Sequence, residues 1–262
     1  MKLEFLGTGA ADYNLERDGN DAGFRRFSSM MMGESLLIDP GPHIFHYAET
    51  FGKPNLFDHV KTVIITHSHG DHLSAESVRR LVEICPDCTF AGNAMSLKEL
   101  TDAGVNVPYT VLTPFERYTF GDYTIVPMPA NHNTHKAGEQ ALLYTIEAEG
   151  KTFYYGADTG WLPATTWDYM VTQQYDAMVF ELTIGEASYD YRIFTHTSVD
   201  MLAMMLRTIR CRDSRHYNAT KVGCKFFTTH MARTLHPDQA TLAATLAPLN
   251  VVPAFDGMIA EV

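Results

Sequence analysis

The densest chemistry in the chain is the stretch Thr66-His67-Ser68-His69-Gly70-Asp71-His72, which sets three imidazoles and one carboxylate within six residues. Imidazole nitrogen and carboxylate oxygen are ligands for divalent transition metals. The stretch directly follows the apolar run Val63-Ile64-Ile65, and a polar surface loop rarely follows a buried strand with this many ligands, so a metal site is expected rather than a solvated histidine cluster. His67 and His69, two apart, project to the same side of an extended strand end. Gly70 permits a turn, after which Asp71 and His72 approach a second centre from another direction.

Such ligands need rigid elements behind them. Short apolar runs closed by polar or glycine punctuation recur at 2–6, 35–38, 62–66, 123–128, 141–146, 152–155, 177–181 and 225–229, and these read as strands. Helical patterns fall at 75–84, capped by Ser74, then at 96–102, 198–210 and 237–246, the last stopped by Pro248. In the 198–210 segment Val199, Leu202, Ala203, Leu206 and Ile209 keep to one helical face, with Met201, Met204 and Met205 as core and flank filler. Glu149-Gly150 is a hairpin signal between neighbouring strands. Strands outnumber helices and the helices are interspersed, so the expected fold is α/β with layered sheets and outer helices. No repeat of fixed period and no linker composition interrupts the 262 residues, which are read as one domain, 1–262.

The His-x-His-x-Asp-His pattern after a strand resembles the signature of the metallo-β-lactamase superfamily, and the other signature elements follow in that family's order. Asp39 closes Leu36-Leu37-Ile38, His132 follows Ala130-Asn131, Asp158 follows Tyr154-Tyr155-Gly156-Ala157, and His230 follows Phe226-Phe227-Thr228-Thr229. The resemblance implies an αββα sandwich with two metals at one edge. One metal would be held by His67, His69 and His132, the other by Asp71, His72 and His230, with Asp158 bridging and Asp39 bracing the metal loop. Within the superfamily, Phe5-Leu6-Gly7-Thr8-Gly9-Ala10-Ala11, Arg26-Phe27-Ser28-Ser29 and Phe255-Asp256-Gly257-Met258 look like the branch containing ribonuclease Z and the carbon-phosphorus-lyase-pathway cyclic phosphodiesterase. Asp176, Glu181 and Thr195-His196-Thr197-Ser198 resemble that branch's acidic strand end and the extra histidine that assists phosphodiester cleavage. His196 could instead cap a helix or fill the core. By itself the glycine loop reads equally as a plain strand turn, since it lacks the third glycine and following helix of a dinucleotide fold. The chain also departs from both named enzymes: it has no Gly/Pro-rich arm for gripping transfer RNA, none of the N-terminal cysteines of a structural zinc, and Arg233 where the phosphonate-pathway enzyme has a histidine ligand.

A net charge of −11 with 19% charged and 45% hydrophobic residues describes an ordinary globular chain that repels a long polyanion. Arg207, Arg210, Arg212, Arg215, Lys221 and Lys225, with Asp213 the one acid among them, form the single basic stretch, read first as a solvated surface. Cys85, Cys88, Cys211 and Cys224 do not make a disulfide framework, and Cys85-Pro86-Asp87-Cys88 lacks the second half of a zinc knuckle. No run approaches the ~20 apolar residues of a membrane span and no export signal is visible, so a cytoplasmic protein is expected. His43, His46, His59, His135, His216 and His236 match no ligand position, and His135 lies close enough to His132 in sequence to line a cleft.

The expected activity is hydrolysis of a small or cyclic phosphodiester by a hydroxide held between two metals, zinc or manganese or else iron, with Asp71 and His196 catalytic. Bulk nucleic acid and membrane are not expected partners, and a homodimer is compatible with the sequence. The rivals are a thioester or lactone hydrolase on the same fold, a ribonuclease Z-like nuclease, and a metal-binding accessory protein without turnover.

Overall fold

The computed structural model describes residues 1–187, 189–210 and 218–262; Cys211, Arg212, Asp213, Arg215 and His216 therefore lie outside the described residues. Strands β1 (Lys2–Gly7), β2 (Ser29–Met32), β3 (Leu36–Ile38), β4 (Thr62–Ile64), β5 (Thr89–Gly92) and β6 (Tyr109–Val111) build the first sheet. Strands β7 (Tyr118–Phe120), β8 (Tyr123–Pro129), β9 (Leu142–Ala148), β10 (Lys151–Gly156), β11 (Tyr175–Glu181), β12 (Thr220–Thr229) and β13 (Val252–Pro253) build the second, and β14 (Ile259–Glu261) returns to pair with β1. In the first sheet β1, β2 and β3 run antiparallel, and β3 to β6 run parallel. The second repeats the scheme, antiparallel from β7 to β10 and parallel from β10 to β13.

Alternation along the strands sorts side chains into three packed layers. Leu36 and Ile38 of β3, Phe153 and Tyr155 of β10, and Phe227 of β12 meet between the sheets. Leu37 of β3 and Val63 of β4 point the other way, onto α2 (Ile44–Thr50), α3 (Ala75–Ile84) and α4 (Ala94–Asp102), after the short N-terminal α1 (Leu15–Asp18). Tyr154 of β10 and Met178 and Phe180 of β11 pack on α5 (Ala164–Met170), α6 (Val199–Ile209) and α7 (Gln239–Leu246). The result is the αββα sandwich.

Local signals explain most element boundaries. Ser74 and Ser198 cap α3 and α6 as their sequences predict, accepting from Ser77 N and Met201 N. The 96–102 helix begins earlier, at Ala94, because the Asn93 side chain takes the Ser96 amide. The 237–246 helix begins later, at Gln239, because Asp238 accepts from Ala240 N and Thr241 N. Glu149 and Gly150 both adopt positive φ, 51° and 71°, as the tight turn between β9 and β10 requires. Seven-residue α2 and α5 have no side-chain N-cap bond, and β2 is buried on both faces; none of the three carries a strong sequence signal. No helix among the described residues is long and apolar enough to cross a membrane.

One buried charge ties a helix to this frame. Glu4 of β1 accepts from Tyr47 Oη of α2 at 2.8 Å and from Lys53 Nζ, just beyond that helix, at 2.6 Å. Burial works against its ionisation, but the Lys53 and Tyr47 hydrogen bonds and the lysine charge outweigh it and hold the carboxyl below its ordinary value. A depressed folded pKa contributes stability above the unfolded value, and that stability is lost as pH falls through the folded one. Glu4→Gln is therefore expected to cost about 1–2 kcal/mol at pH 7. Urea unfolding with chelator present should show this difference shrinking as the pH drops toward 3; a difference independent of pH would rule the ionised pair out as its source.

Candidate metal centre

Strand direction decides where the ligands go. Strands β3, β4, β10, β11 and β12 run parallel to their neighbours and end at Ile38, Ile64, Gly156, Glu181 and Thr229. Asp39, His67, Asp158 and His230 follow within three residues of those ends, in the crevice outside the carboxyl ends of the strands where open sheets bind ligands. β8, two antiparallel steps from β10, shares its direction and delivers His132 to the same edge.

Two main groups of ligand atoms result. His67, His69, His132 and Asp158 form one, and Asp71, His72 and His230 the other, each with its ligand atoms within 4.8 Å of one another; Asp158, His196 and His230 meet the same limit as a third, overlapping set. All seven residues singled out as ligands are thus brought together. His67 Nε2 lies 2.9 Å from His69 Nδ1, and His132 Nε2 lies 3.2 Å from the same atom. In the second group His72 Nε2 and His230 Nε2 are 3.3 Å apart, each near Asp71 Oδ2 at 3.4 and 3.3 Å. Asp158 stands between: Oδ2 lies 3.8 and 3.6 Å from His67 and His132, while Oδ1 lies 3.3 and 3.1 Å from His72 and His230.

The opposite ring nitrogens have acceptors that fix the tautomers. His72 Nδ1 donates to Asp39 Oδ2 at 2.8 Å, His230 Nδ1 to Thr183 Oγ1 at 2.8 Å, His132 Nδ1 to Thr195 O at 3.2 Å and His69 Nε2 to Thr134 O at 3.2 Å. His67 Nδ1 donates to Thr66 Oγ1 at 3.1 Å, whose own hydroxyl donates to Asp39. With the outer nitrogens engaged, the inward nitrogens of neutral imidazoles present lone pairs, and at His72 the surrounding carboxylates favour a second proton when no other cation is present. Asp158 Oδ1 accordingly has two imidazole nitrogens at contact distance and no hydrogen bond, although it is buried. Lone pairs converging on a buried carboxylate fit a cation, and the nitrogen and oxygen donor set suits a divalent transition metal.

Electrostatics points the same way. Burial, with the neighbouring His72 imidazole, pushes His67 well below its ordinary value, and burial brings His132 down to about 4. Burial opposes a charge on His72 as well, but Asp71, Asp158 and Asp39 override it and raise that imidazole well above its ordinary value. Three carboxylates concentrated here demand positive charge. Asp39 and His230 hold φ at 58° and 55°, left-handed conformations rare outside glycine, so the backbone is strained at a brace and at a candidate ligand.

A family model described as the beta-lactamase superfamily domain matches residues 34–215. The chain belongs to this superfamily. A comparison with curated proteins finds no match. The fold is similar to the metallo-β-lactamase fold protein YhfI from Bacillus subtilis (16% identity, 99% of each chain, TM-score 0.71). It is also similar to a diphosphatase from the PhnP family (17%, 100% of this chain and 97% of that one, 0.69) and to the short form of human tRNase Z (16%, 100% and 99%, 0.67). Within the superfamily frame, His196 stands beside both groups. Its Nδ1 donates to Glu181 Oε1 at 2.9 Å, its ring lies 4.9 Å from His132, and it stacks 5.8 Å from His230 at 10°.

Other expectations sort themselves by contact. The glycine loop is a packing turn: a Cβ on Gly7 would meet Phe27 O at 1.9 Å, and Met231, next to His230, exchanges backbone hydrogen bonds with Thr8 and Ala10. His43 stacks on Phe27, and His236 donates to Leu182 O; His135 is exposed. Three described cations of the basic stretch are engaged away from the site. Arg210 covers Phe226 and donates to Leu249 O, Lys221 pairs with Asp176, and Lys225 donates to Glu261 O. Lys221 enters β12 at the end opposite His230, and with three residues bulged out of register between Thr220 and Lys225 the separation is roughly 20 Å at ~3.3 Å per residue. Thr66 and Thr183 went unrecognised in the sequence, since one threonine beside a strand end carries no signal until its ring partner is known. Protein reconstituted with zinc and desalted is expected to retain two ions per chain by elemental analysis, His67→Ala about one, and Asp158→Ala fewer than His67→Ala. A metal-free wild type after reconstitution would remove the metal reading.

Proposed function

We propose that the protein hydrolyses a small or cyclic phosphodiester at a two-metal centre. His67, His69 and His132 would hold one ion, Asp71, His72 and His230 the other, and Asp158 would lie between. The observation that carries this reading is His196: an imidazole beside both groups, outside the two ligand sets that the superfamily pattern implies, and held by its own buried carboxylate. Bound metals supply an activated water and neutralise charge on the substrate's oxygens.

The chain's own residues supply the proton chemistry. Glu181 accepts from His196 Nδ1, Thr159 N, Thr183 N and Thr197 N, so it is fixed from four directions. That bond fixes the tautomer and leaves Nε2 to face the centre. Burial disfavours the imidazolium, but the Glu181 charge and hydrogen bond outweigh it and raise the His196 pKa above its ordinary value. A protonated His196 then delivers its Nε2 proton to the departing oxygen, the role of a general acid. Asp71 orients the attacking water. Two structural neighbours named as a diphosphatase and a tRNase Z accord with chemistry at phosphorus. The net charge of −11 and the engaged lysines and arginines favour a small substrate over a long polyanion.

Metal-reconstituted protein is expected to turn over bis(p-nitrophenyl) phosphate faster than a thioester; the reverse preference would replace phosphorus by acyl carbon. His196→Ala should keep its metal and lose ~10²–10⁴-fold in turnover of a phosphodiester with a poor leaving group, with a smaller loss for p-nitrophenolate, which needs little protonation. Loss of metal in that variant would make His196 a ligand instead.

A further inference from the structure

Both candidate groups have braces behind their imidazoles, but the segment His67-Ser68-His69 has one more. Its two ligand candidates flank one buried residue, Ser68. Ser68 N donates to Glu139 Oε1 at 2.8 Å and Ser68 Oγ to Glu139 Oε2 at 2.7 Å, while Ser68 O accepts from Lys136 Nζ at 3.2 Å. All three polar groups of the residue are thus taken by the loop that follows His132. The same loop supplies Thr134 O, the acceptor for His69 Nε2.

The clamp is anchored in turn. Asn93 Nδ2 donates to Glu139 Oε1 at 2.9 Å, and Asn93 Oδ1 caps α4 by accepting from Ser96 N at 2.8 Å. Glu139 has no ion-pair partner among the described residues, since Lys136 pairs with Glu99 at 2.7 Å. Three donors hold its carboxylate, and two of them belong to Ser68. Rotating the peptide at Ser68 would swing the His67 and His69 rings apart, because each side chain is set by the torsions on either side of that residue. The rings of the other group are braced separately, by Asp39 and Thr183, although His72 N and Leu73 N also donate to His69 O in the turn that follows the clamp.

We infer that Glu139 is a positioning residue that sets the geometry of the His67–His69–His132 group by clamping Ser68, and so tunes the affinity of one metal site and not the other. The inference rests on the two-site metal reading. Glutamine keeps the clamp: its amide oxygen accepts from Ser68 N and Asn93, and its amide NH₂ donates to Ser68 Oγ. Alanine abolishes it.

The test is a zinc titration of metal-free protein against a chromophoric chelator, resolving two dissociation constants. Glu139→Ala is expected to weaken one site by ~10–100-fold, the usual effect of losing a group that orients a ligand, and to leave the other within about twofold. Glu139→Gln should restore the wild-type constants to within about threefold. Equal weakening of both sites, no weakening, or Gln as weak as Ala would overturn the inference. Should Glu139→Ala not fold, Ser68→Ala carries the test because it removes one of the two clamp bonds: a selective loss of ~3–10-fold supports the inference and unchanged constants overturn it. A wild type that binds no zinc overturns the metal reading itself, a separate result.

Discussion

Asp158 is buried with one oxygen turned to each of two imidazole groups, and it has no hydrogen bond on Oδ1. A carboxylate in that position is costly to bury unless positive charge accompanies it. Burial opposes its ionisation, and the imidazoles of His230, His72 and His132 reverse that and hold it well below the usual carboxylate range. Every ligand-bearing loop must therefore arrive at this one carboxylate, which explains why both sheets spend their parallel halves on the same edge. Parallel strands end together, so their loops gather without long crossings.

The convergence has a backbone cost. Asp39 turns through φ 58° directly after Ile38 and so places its carboxylate on Thr66 N, Thr66 Oγ1 and His72 Nδ1 at once. His230 turns through φ 55°, held by Met231 against the β1 loop and by Thr183 from the side. Such conformations cost of order 1–3 kcal/mol each and persist where the surroundings over-determine them. The hydrogen bonds just named around the two residues provide that here.

The cluster His67, His69, Asp71 and His72 was legible from residue types packed directly after an apolar run, whereas His132, Asp158 and His230 were reached through the resemblance to the superfamily signature, each again just after an apolar run such as Phe226-Phe227-Thr228-Thr229. The α3 boundaries were legible for a similar reason, a serine cap before a strong apolar face. What holds the ligands was not legible. Thr183, Glu139 and Asn93 act through partners 47, 71 and 46 residues away, and a polar residue in a loop has the same local signature whether it faces water or a buried ring. β2 escaped notice since four buried residues in a row have no period. The basic stretch, read first as a solvated surface, has Arg210, Lys221 and Lys225 each on a carbonyl or carboxylate of its own, pairings that charge density in sequence does not reveal.

The two groups are braced in different ways. Packing does not separate them, since the side chains of His67, His72, His132, His230 and Asp158 are all almost fully buried. Hydrogen bonding does. Asp39 takes Thr66 N, Thr66 Oγ1 and His72 Nδ1 from below the strand end, whereas Glu139 takes Ser68 N and Ser68 Oγ from the loop after His132. The segment from Thr66 to His72 is thus fixed by two carboxylates from different loops, one serving His72 directly and the other the peptide between His67 and His69.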